Sequence, residues 1–422
     1  MLSRRSFLRS SAASAAYLGS GISAAWAANA PGVTDTEIKI GQTAPYSGPA
    51  SPMGLVGRAD AAYFKMINEM GGVNGRKINL ISLDDGYNPS KTVEQVRRLV
   101  EQEQVAFIFN SMGTSPNLAV QPYLNDNKVP QIFLSSGASR FGDPRHFPWT
   151  IGAYPSLQTE AHVFAKHILA TKPDARIGVL YQNDLVGKEY LAGLRDGLGV
   201  DRAAVIVKEV SYEAGDPTVD SQITALQAAG PDTIFLASLA KATGQAIRKI
   251  YDLGWSPTRY IINGAVSIDA VLRPAGLEKS KGVISSVSLK DVTDPRWKDD
   301  EDVKAYAGFI AKYMTPKDYG GGAAELAYFT SALLVDTLRR CGDDLSRDNI
   351  MRQATNIRDL ELPLLLPGIK VNTSPENFFP SGKCSSCGLM AQAGTTSATS
   401  SKSEPRHCRC ELAPASPADS EG

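Results

Sequence analysis

Two short loops rich in serine, threonine and glycine hold the residues of this sequence best suited to bind a ligand. Loop 110–116 follows the apolar run 105–109, and loop 135–139 follows the apolar run 129–134. Each loop reads as the turn between a buried strand and a helix, where unpaired backbone N–H groups and the helix dipole favour an anion. Serine and threonine hydroxyls add donors without bulk. The pair predicts a site for a small carboxylate-bearing molecule, and the alternative is that both loops only cap helices.

Other residues that could do chemistry have ordinary explanations. Asp84 and Asp85 follow a predicted strand but lack the further oxygen ligands that a cation needs, which favours a solvated turn. His162 and His167 are five residues apart on a predicted helix, the wrong spacing for sharing a metal. We find no Ser–His–acid or Cys–His motif. The sequence therefore predicts no enzyme activity, no cofactor and no metal site.

Strands and helices alternate along the body of the chain. Strand-like runs, besides the two that precede the loops, lie at residues 37–42, 78–83, 176–181, 205–212, 233–237, 260–263 and 283–289. Segments with helical spacing of apolar residues lie between them. This alternation predicts an α/β fold of two lobes, each with a doubly wound parallel sheet. Ligands collect at the carboxyl ends of the strands in such sheets, where the two loops fall.

Length, composition and charge limit the class of protein. The chain has 422 residues, enough for two domains, and its apolar fraction of 43% and charged fraction of 21% are typical of globular proteins. The formal net charge is zero, so nothing points to nucleic acid as a partner. After residue 30 no apolar run approaches the roughly 20 residues that cross a bilayer.

The N-terminus has the features of an export signal. Arg4 and Arg5, followed by Phe-Leu, resemble the twin-arginine motif. A weakly apolar stretch and a small-residue cleavage motif ending at Ala27 come next. We expect residues 1–27 to be a twin-arginine signal peptide and the mature protein to lie in the periplasm. The alternative is an N-terminal membrane anchor, which a segment rich in alanine and serine supports poorly.

The cysteines are concentrated at the C-terminus. Only Cys341 precedes residue 380, so we expect no disulfide within the body. The tail 381–422 contains the others: Cys384, Cys387, Cys408 and Cys410. Its Ser, Ala, Gly and Thr content, without a periodic apolar pattern, predicts a disordered tail of atypical composition, such as an altered reading frame would produce. The spacing of these cysteines and His407 is not that of a common zinc finger, which favours free or scrambled thiols over a zinc site.

An ordered set of motifs extends from about residue 34 to about residue 380. They are Ile38-Lys39-Ile40-Gly41, Tyr46-Ser47-Gly48-Pro49, Gly71-Gly72-Val73-Asn74-Gly75-Arg76, Asp84-Asp85 with Asn88-Pro89, loop 110–115, and Val129-Pro130 with loop 135–139. In this layout the chain resembles the type I solute-binding proteins of bacterial ABC importers, in the branch that binds leucine, isoleucine, valine and amides. The resemblance implies two lobes joined by a three-stranded hinge, with the ligand in the cleft between them.

The resemblance also implies domain boundaries and ligand contacts. Lobe 1 would comprise 34–150 plus 290–362, and lobe 2 would comprise 151–289 plus 363–380. The resemblance implies that the hydroxyls and N–H groups of three residues hold the ligand carboxylate, and that a carbonyl accepts from its ammonium. The three residues are Thr114, Ser115 and Ser139, and the carbonyl is that of Ala138. The other expected cleft residues are Tyr46, Met53, Tyr154, Asn183, Ser238 and Ala265.

The chain departs from the family pattern in three places. Ala265 stands where an acidic residue is expected to pair with the ligand ammonium, so either Asp184 or Asp269 replaces that acid or the ligand has no α-ammonium. Met53 stands where a loop aromatic is expected. The tail from residue 381 replaces the family's final strands, which predicts an open sheet edge and reduced stability.

Together these features predict the extracytoplasmic solute-binding subunit of an ABC importer. We expect a monomer that captures a branched-chain amino acid, or a related small carboxylate or amide, and docks onto ABC permease subunits in the membrane. The alternative is a ligand sensor subunit that partners a membrane receptor or kinase.

Overall fold

The computed structural model describes residues 30–379, except 49 and 321, and residues Leu389–Ala391. At residues 203, 269, 270 and 389–391 it describes the backbone alone. The predicted signal peptide and most of the tail 381–422 lie outside the described residues. The strands are β1 Glu37–Ala44, β2 Lys77–Asp84, β3 Ile108–Phe109, β4 Gln131–Leu134, β5 Thr150–Gly152, β6 Ile177–Gln182, β7 Ile206–Tyr212, β8 Thr233–Ala237, β9 Thr258–Ile261, β10 Val283–Ser286 and β11 Leu389–Ala391.

The helices lie between the strands and cover the faces of the sheets. They are α1 Leu55–Glu69, α2 Pro89–Arg97, α3 Thr114–Asp126, α4 Leu157–Thr171, α5 Leu185–Leu198, α6 Asp220–Ala228, α7 Ala240–Asp252, α8 Arg273–Ala275, α9 Glu301–Tyr313, α10 Ala323–Cys341 and α11 Arg347–Ala354. None of these helices combines the length and the apolarity that crossing a bilayer requires.

The strands form two sheets, one in each lobe. The first has the order β2-β1-β3-β4-β5, and the second has the order β11-β10-β9-β8-β6-β7. All neighbouring strands run parallel except β11, which is antiparallel to β10. In lobe 2 separate apolar cores cover the two faces, one beneath α4 and α5 and the other beneath α6 and α7. The predicted fold of two doubly wound parallel-sheet lobes is confirmed.

The segment 363–378 was expected in lobe 2 but belongs to lobe 1. Leu364, Val371 and Phe378 are buried in the lobe 1 core, with the helices α1, α9, α10 and α11. The segment also pairs with the chain as it returns from lobe 2, because Lys290 donates its N–H to the carbonyl of Leu364 over 2.7 Å. Its apolar side chains find their partners on distant helices, and a local pattern cannot show which lobe those helices belong to.

Three residues of the tail add a strand to lobe 2. Leu389–Ala391 pairs with β10, with Ile284 opposite Ala391 and Ser286 opposite Leu389. The prediction of an unstructured tail is therefore wrong for these three residues, and the edge of β10 that was expected to be open is paired. Unpaired N–H and C=O groups along β10 provide the driving force, because any extended segment within reach can satisfy them.

Candidate functional site

The two serine-rich loops lie side by side at the carboxyl ends of β3 and β4. The N–H of Ser135 donates to the carbonyl of Ser111 over 3.0 Å, and the N–H of Gly113 donates to the carbonyl of Ser135 over 3.3 Å. The hydroxyls of Thr114 and Ser136 lie 2.7 Å apart. The loops thus form one continuous polar surface, as their positions at the ends of neighbouring parallel strands predict.

Gly113 allows this surface to form at the start of α3. Its φ is 101°, and a Cβ at this position would lie 2.4 Å from Cε2 of Tyr87. The aromatic ring therefore lies against the loop backbone. Burial, together with the charge of Asp184, raises the pKa of Tyr87 to about 12, and the N–H of Thr114 partly opposes this increase. Since Tyr87 belongs to lobe 1 and Asp184 to lobe 2, the two lobes are close together here.

The first turn of α3 presents N–H donors next to Tyr87. Thr114 is the first helical residue, and the cap position is a glycine that has no side chain to accept from the turn. The side-chain amide of Asn117 donates to the carbonyls of Ser111 and Gly113, over 2.8 and 2.7 Å. These contacts hold the loop and the helix in register. Thr114 and Ser115 are therefore placed with backbone donors at the helix start, as an anion site requires.

The donors of Ser139 are already occupied by a side chain of lobe 2. Its N–H lies 2.9 and 3.1 Å from the carboxylate oxygens of Glu189, and its hydroxyl donates to the same carboxylate over 2.5 Å. Glu189 is only 6% exposed, and burial raises its pKa. The carbonyl of the preceding residue, Ala138, accepts from Phe141 over 2.9 Å. An internal carboxylate thus takes the contacts that the resemblance assigned to the ligand at Ser139.

Tyr154, which was expected in lobe 2, packs against the lobe 1 core. With Tyr46 and Met53 it lies in or next to the polar network of lobe 1. The hydroxyl of Tyr154 lies 3.3 Å from the hydroxyls of Ser135 and Thr330, and burial raises its pKa. The hydroxyl of Tyr46 lies 2.6 Å from that of Ser82. Met53 packs against the lobe 1 core and is only partly buried. Tyr154 therefore adjoins the loop at Ser135, whereas the Tyr46 hydroxyl binds within lobe 1.

The predicted site residues of lobe 2 have other roles in the structure. Asn183 is exposed and donates its side-chain amide to Glu213 over 2.7 Å. The hydroxyl of Ser238 lies 2.8 Å from that of Thr243, inside the turn that begins α7. Ala265 is fully buried in the core beneath α4 and α5. The side chains of Asn183 and Ser238 thus bind within lobe 2, and Ala265 has no polar side-chain group, because turns satisfy many of their polar atoms locally.

A carboxylate from a different element lies beside the turn that contains Ala265. Glu160, on α4, accepts from the N–H of Asn263 and from the hydroxyl of Ser286, each over 2.7 Å, and from the hydroxyl of Tyr190 over 2.5 Å. These partners follow β9, end β10 and lie on α5. Burial raises the pKa of Glu160, and within the described residues no cationic nitrogen lies within 4.0 Å of its carboxylate. The negative charge is therefore solvated only by neutral donors.

Sequence reasoning missed Glu160 and Glu189 because both look like ordinary helix residues. Glu160 stands in the first turn of α4, where acidic residues are common for electrostatic reasons. Glu189 falls among the buried positions of α5, next to Tyr190 and three residues after Val186. An acidic residue on an apolar helix face was the one available signal. Of the two acids proposed to replace the missing one, Asp184 caps α5 by accepting from Gly187, and the side chain of Asp269 lies outside the described residues.

The histidines have structural partners. His162 pairs with Asp196 over 2.8 Å, and Nδ1 of His167 lies 2.8 Å from the hydroxyl of Tyr260. Within the part of the chain that the structure describes, no group of three or more His, Cys, Asp or Glu side chains is arranged to hold a metal ion. The cysteines of the tail lie outside that part. Cys341 is buried and free.

The fold is similar to that of several solved binding proteins. A branched-chain amino acid ABC transporter protein from Thermus thermophilus with bound valine aligns with a TM-score of 0.73 at 16% identity, covering 82% of this chain and 92% of that one. A fatty acid ABC transporter substrate-binding protein from Thermomonospora curvata aligns with a TM-score of 0.68 at 21% identity, covering 82% and 86%. At these identities the likeness shows the fold alone.

Sequence comparison identifies the family. An amino acid binding protein of Pseudomonas aeruginosa is 23% identical over 266 residues, which are 62% of this chain and 68% of that protein. A Leu/Ile/Val-binding protein homolog of Brucella melitensis is 25% identical over 222 residues, which are 52% of this chain and 59% of that protein. The family model described as periplasmic binding protein matches residues 37–392. The chain belongs to the periplasmic binding protein family, a family of solute-binding proteins.

Proposed function

We propose that this protein captures a small amino acid in the cleft between its lobes and delivers it to an ABC importer. A branched-chain amino acid is the first candidate, because proteins named for leucine, isoleucine and valine are among its relatives. Related small carboxylates or amides are the other candidates. In this role the protein binds and releases its ligand and does not transform it.

The observation that carries the proposal is the uncompensated carboxylate of Glu160. A partly buried charge without a partner of opposite sign is costly, and a ligand ammonium would provide that partner. The hydroxyl of Tyr190 and the N–H of Asn263 hold the carboxylate in one orientation. In this proposal Glu160 on α4 takes the place of the acid that is absent at Ala265, which favours a ligand with an ammonium over the alternative of a ligand without one.

The opposite end of such a ligand is matched by lobe 1. A free amino acid carries a carboxylate, and the start of α3 presents N–H donors at Thr114 and Ser115 with the hydroxyl of Ser136 beside them. Tyr154 adds a hydroxyl at Ser135. A ligand with a positive group facing lobe 2 and a negative group facing lobe 1 is a zwitterion, and such a ligand would bridge the two lobes.

Thermal unfolding with matched ligands tests the proposal. Leucine, its keto acid and its amide have the same side chain and differ only at the two polar ends. Leucine at 100 times its Kd should stabilise the protein by about 2.7 kcal/mol, with a corresponding rise in Tm. We expect smaller shifts from the keto acid, which has no ammonium, and from the amide, which has no carboxylate. Equal shifts from leucine and the keto acid would rule out a role for Glu160 in binding an ammonium.

Export and docking complete the proposed role. Arg4 and Arg5 support export by the twin-arginine route into the periplasm, where the closed monomer would dock onto the permease subunits. Reconstitution with candidate ABC permease and ATPase subunits of the same organism tests this part, because ATP hydrolysis by the importer should rise only when both the protein and its ligand are present.

A further inference from the structure

Ser139 of lobe 1 contacts Glu189 of lobe 2, so hydrogen bonds join the two lobes at a point where the chain does not cross between them. Ser139 begins a short turn after β4 in lobe 1, and Glu189 lies on α5 in lobe 2, fifty positions along the chain. Both donors of Ser139 are used, the N–H over 2.9 Å and the hydroxyl over 2.5 Å. Hydrogen bonds to an ionised acceptor are the stronger kind.

This contact can form only when the two lobes are close together, because its surroundings come from both lobes. Glu189 is 6% exposed, and within the described part of the chain no lysine, arginine or histidine nitrogen lies within 4.0 Å of its carboxylate. Leu185, one turn earlier on α5, packs against an apolar cluster of lobe 1 that consists of Leu134, Ala138 and Phe141. If the lobes separated, the carboxylate and the Ser139 donors would both return to water.

We propose that Glu189 and Ser139 form a latch that holds the lobes together, and that Ser139 is a closure residue and not a ligand contact. The ligand carboxylate is then held by the start of α3 and the hydroxyls beside it, without Ser139, and the latch acts at the edge of the cleft. This proposal goes beyond the proposed function, because it concerns the closed conformation whether or not a ligand is bound.

The first test needs no ligand. Small-angle scattering of the ligand-free protein should give a larger radius of gyration for Glu189→Gln, Glu189→Ala and Ser139→Ala than for the wild type. Hydrogen exchange at the Ser139 amide should become faster in both Glu189 variants. Glu213→Gln is the matched control, since Glu213 is an exposed acid of lobe 2 that binds Asn183 within its own lobe. Wild-type scattering and exchange in the Glu189 variants would overturn the proposal.

The second test uses leucine as the probe. Leucine should dissociate roughly tenfold faster from Glu189→Gln, the effect of losing one charge-assisted hydrogen bond. Ser139→Ala should also speed dissociation and leave the preference for leucine over leucine amide unchanged. The double variant should add little to the larger single effect, because the two residues are partners.

Tighter leucine binding by Glu189→Gln would instead show a carboxylate that competes with the ligand and would overturn the latch. If leucine and the other candidate ligands fail to bind the wild type, the proposed function fails while the scattering test still decides the latch.

Discussion

The Oε1 atom of Glu160 lies 2.7 Å from the backbone nitrogen of Asn263, so a side chain of α4 places negative charge at the turn after β9. The turn after β9 contains no acidic residue at the position where one was expected, because that position is Ala265. Helix α4 begins where the chain has just crossed from lobe 1 to lobe 2, and Glu160 lies in its first turn. The charge is therefore tied both to the sheet of lobe 2 and to the crossing segment.

Replacement of Glu160 by glutamine should abolish most of the affinity for leucine. Glutamine keeps the size and the acceptor oxygen but has no charge for the ammonium, and losing one partner of a buried charge pair costs about 2 to 5 kcal/mol. Titration calorimetry should show this loss for leucine and little change for the keto acid.

The control for Glu160 is again Glu213→Gln, which should bind leucine as the wild type does. A second check is the pH dependence of binding. Because burial raises the pKa of Glu160, leucine affinity should fall as the pH is lowered, and the fall should begin at a higher pH than an ordinary glutamate would give, since protonation removes the charge. Unchanged leucine affinity in Glu160→Gln would contradict the assignment.

Alanine at Gly113 should destabilise the protein and weaken ligand binding. The φ of 101° is unfavourable for any residue with a Cβ, and the added atom would meet the Tyr87 ring at 2.4 Å. We expect a cost of about 1 to 3 kcal/mol in urea unfolding. Gly308→Ala is the matched control, because a Cβ there has no atom within 4 Å, its φ is not in the left-handed region, and α9 carries no residue of the candidate site. Equal effects of the two substitutions would argue against strain at Gly113.

Glu325→Gln should change how stability depends on pH. Glu325 is 6% exposed on α10, and burial raises its pKa to about 7, with Asp291 adding to the increase. A raised carboxyl pKa makes the folded state most stable at acidic pH and less stable as the pH rises through 7. At pH 8 the glutamine variant should be more stable than the wild type by up to about 3 kcal/mol, since the folded-state pKa lies about 2.5 units above the ordinary glutamate value and each unit is worth about 1.36 kcal/mol.

Urea unfolding at pH 5, 6, 7 and 8 measures this effect. The two proteins should differ least at pH 5, diverge between pH 5 and 7, and differ by a nearly constant amount above pH 7, where Glu325 is ionised in both the folded and the unfolded state. Some pH dependence should remain in the variant, because burial also raises the pKa of Asp60 to about 7. Asp60 accepts from Gln42, Asn110 and Ser331, so its replacement would remove hydrogen bonds as well as a charge. Parallel curves for the wild type and Glu325→Gln would show that Glu325 is not the titrating group.

Lysine at both Arg4 and Arg5 should stop export. The twin-arginine route reads the arginine pair, so a conservative change of both residues should leave the precursor in the cytoplasm. Cell fractionation with immunoblotting measures the periplasmic fraction. Arg9→Lys is the control, because it changes an arginine of the same segment outside the pair. Periplasmic accumulation of the double variant would indicate another route.

Local pattern was sufficient to predict most of the fold. Period-two and buried runs located the strands within a few residues, and β8 was predicted at its observed bounds, Thr233–Ala237. Errors arose where the side chain of one residue hydrogen-bonds to the backbone of a nearby residue. The cap of α2 is Asn88, which accepts from the N–H groups of Ser90 and Lys91, although Ser90 is also of a residue type that commonly caps helices.

The candidate site was predictable on the lobe 1 side and not on the lobe 2 side. Loops 110–113 and 135–138 follow adjacent parallel strands, so their proximity follows from topology. Glu160 meets Asn263 and Ser286 across more than one hundred residues of sequence, and only the packing of α4 on the lobe 2 sheet brings them together. No spacing rule connects residues so far apart, which is why the expected acid was sought at Ala265.

The pairing of β11 with β10 has a consequence for handling the protein. A protease that cleaves before Leu389 would free the N–H and C=O groups of Val283–Ser286 on that side of the sheet. A second molecule would then be able to donate its own extended segment to the vacant edge, and intermolecular strand exchange would follow. Tail-clipped preparations should therefore form dimers and larger aggregates in proportion to protein concentration, and an added peptide with the sequence of β11 should suppress them.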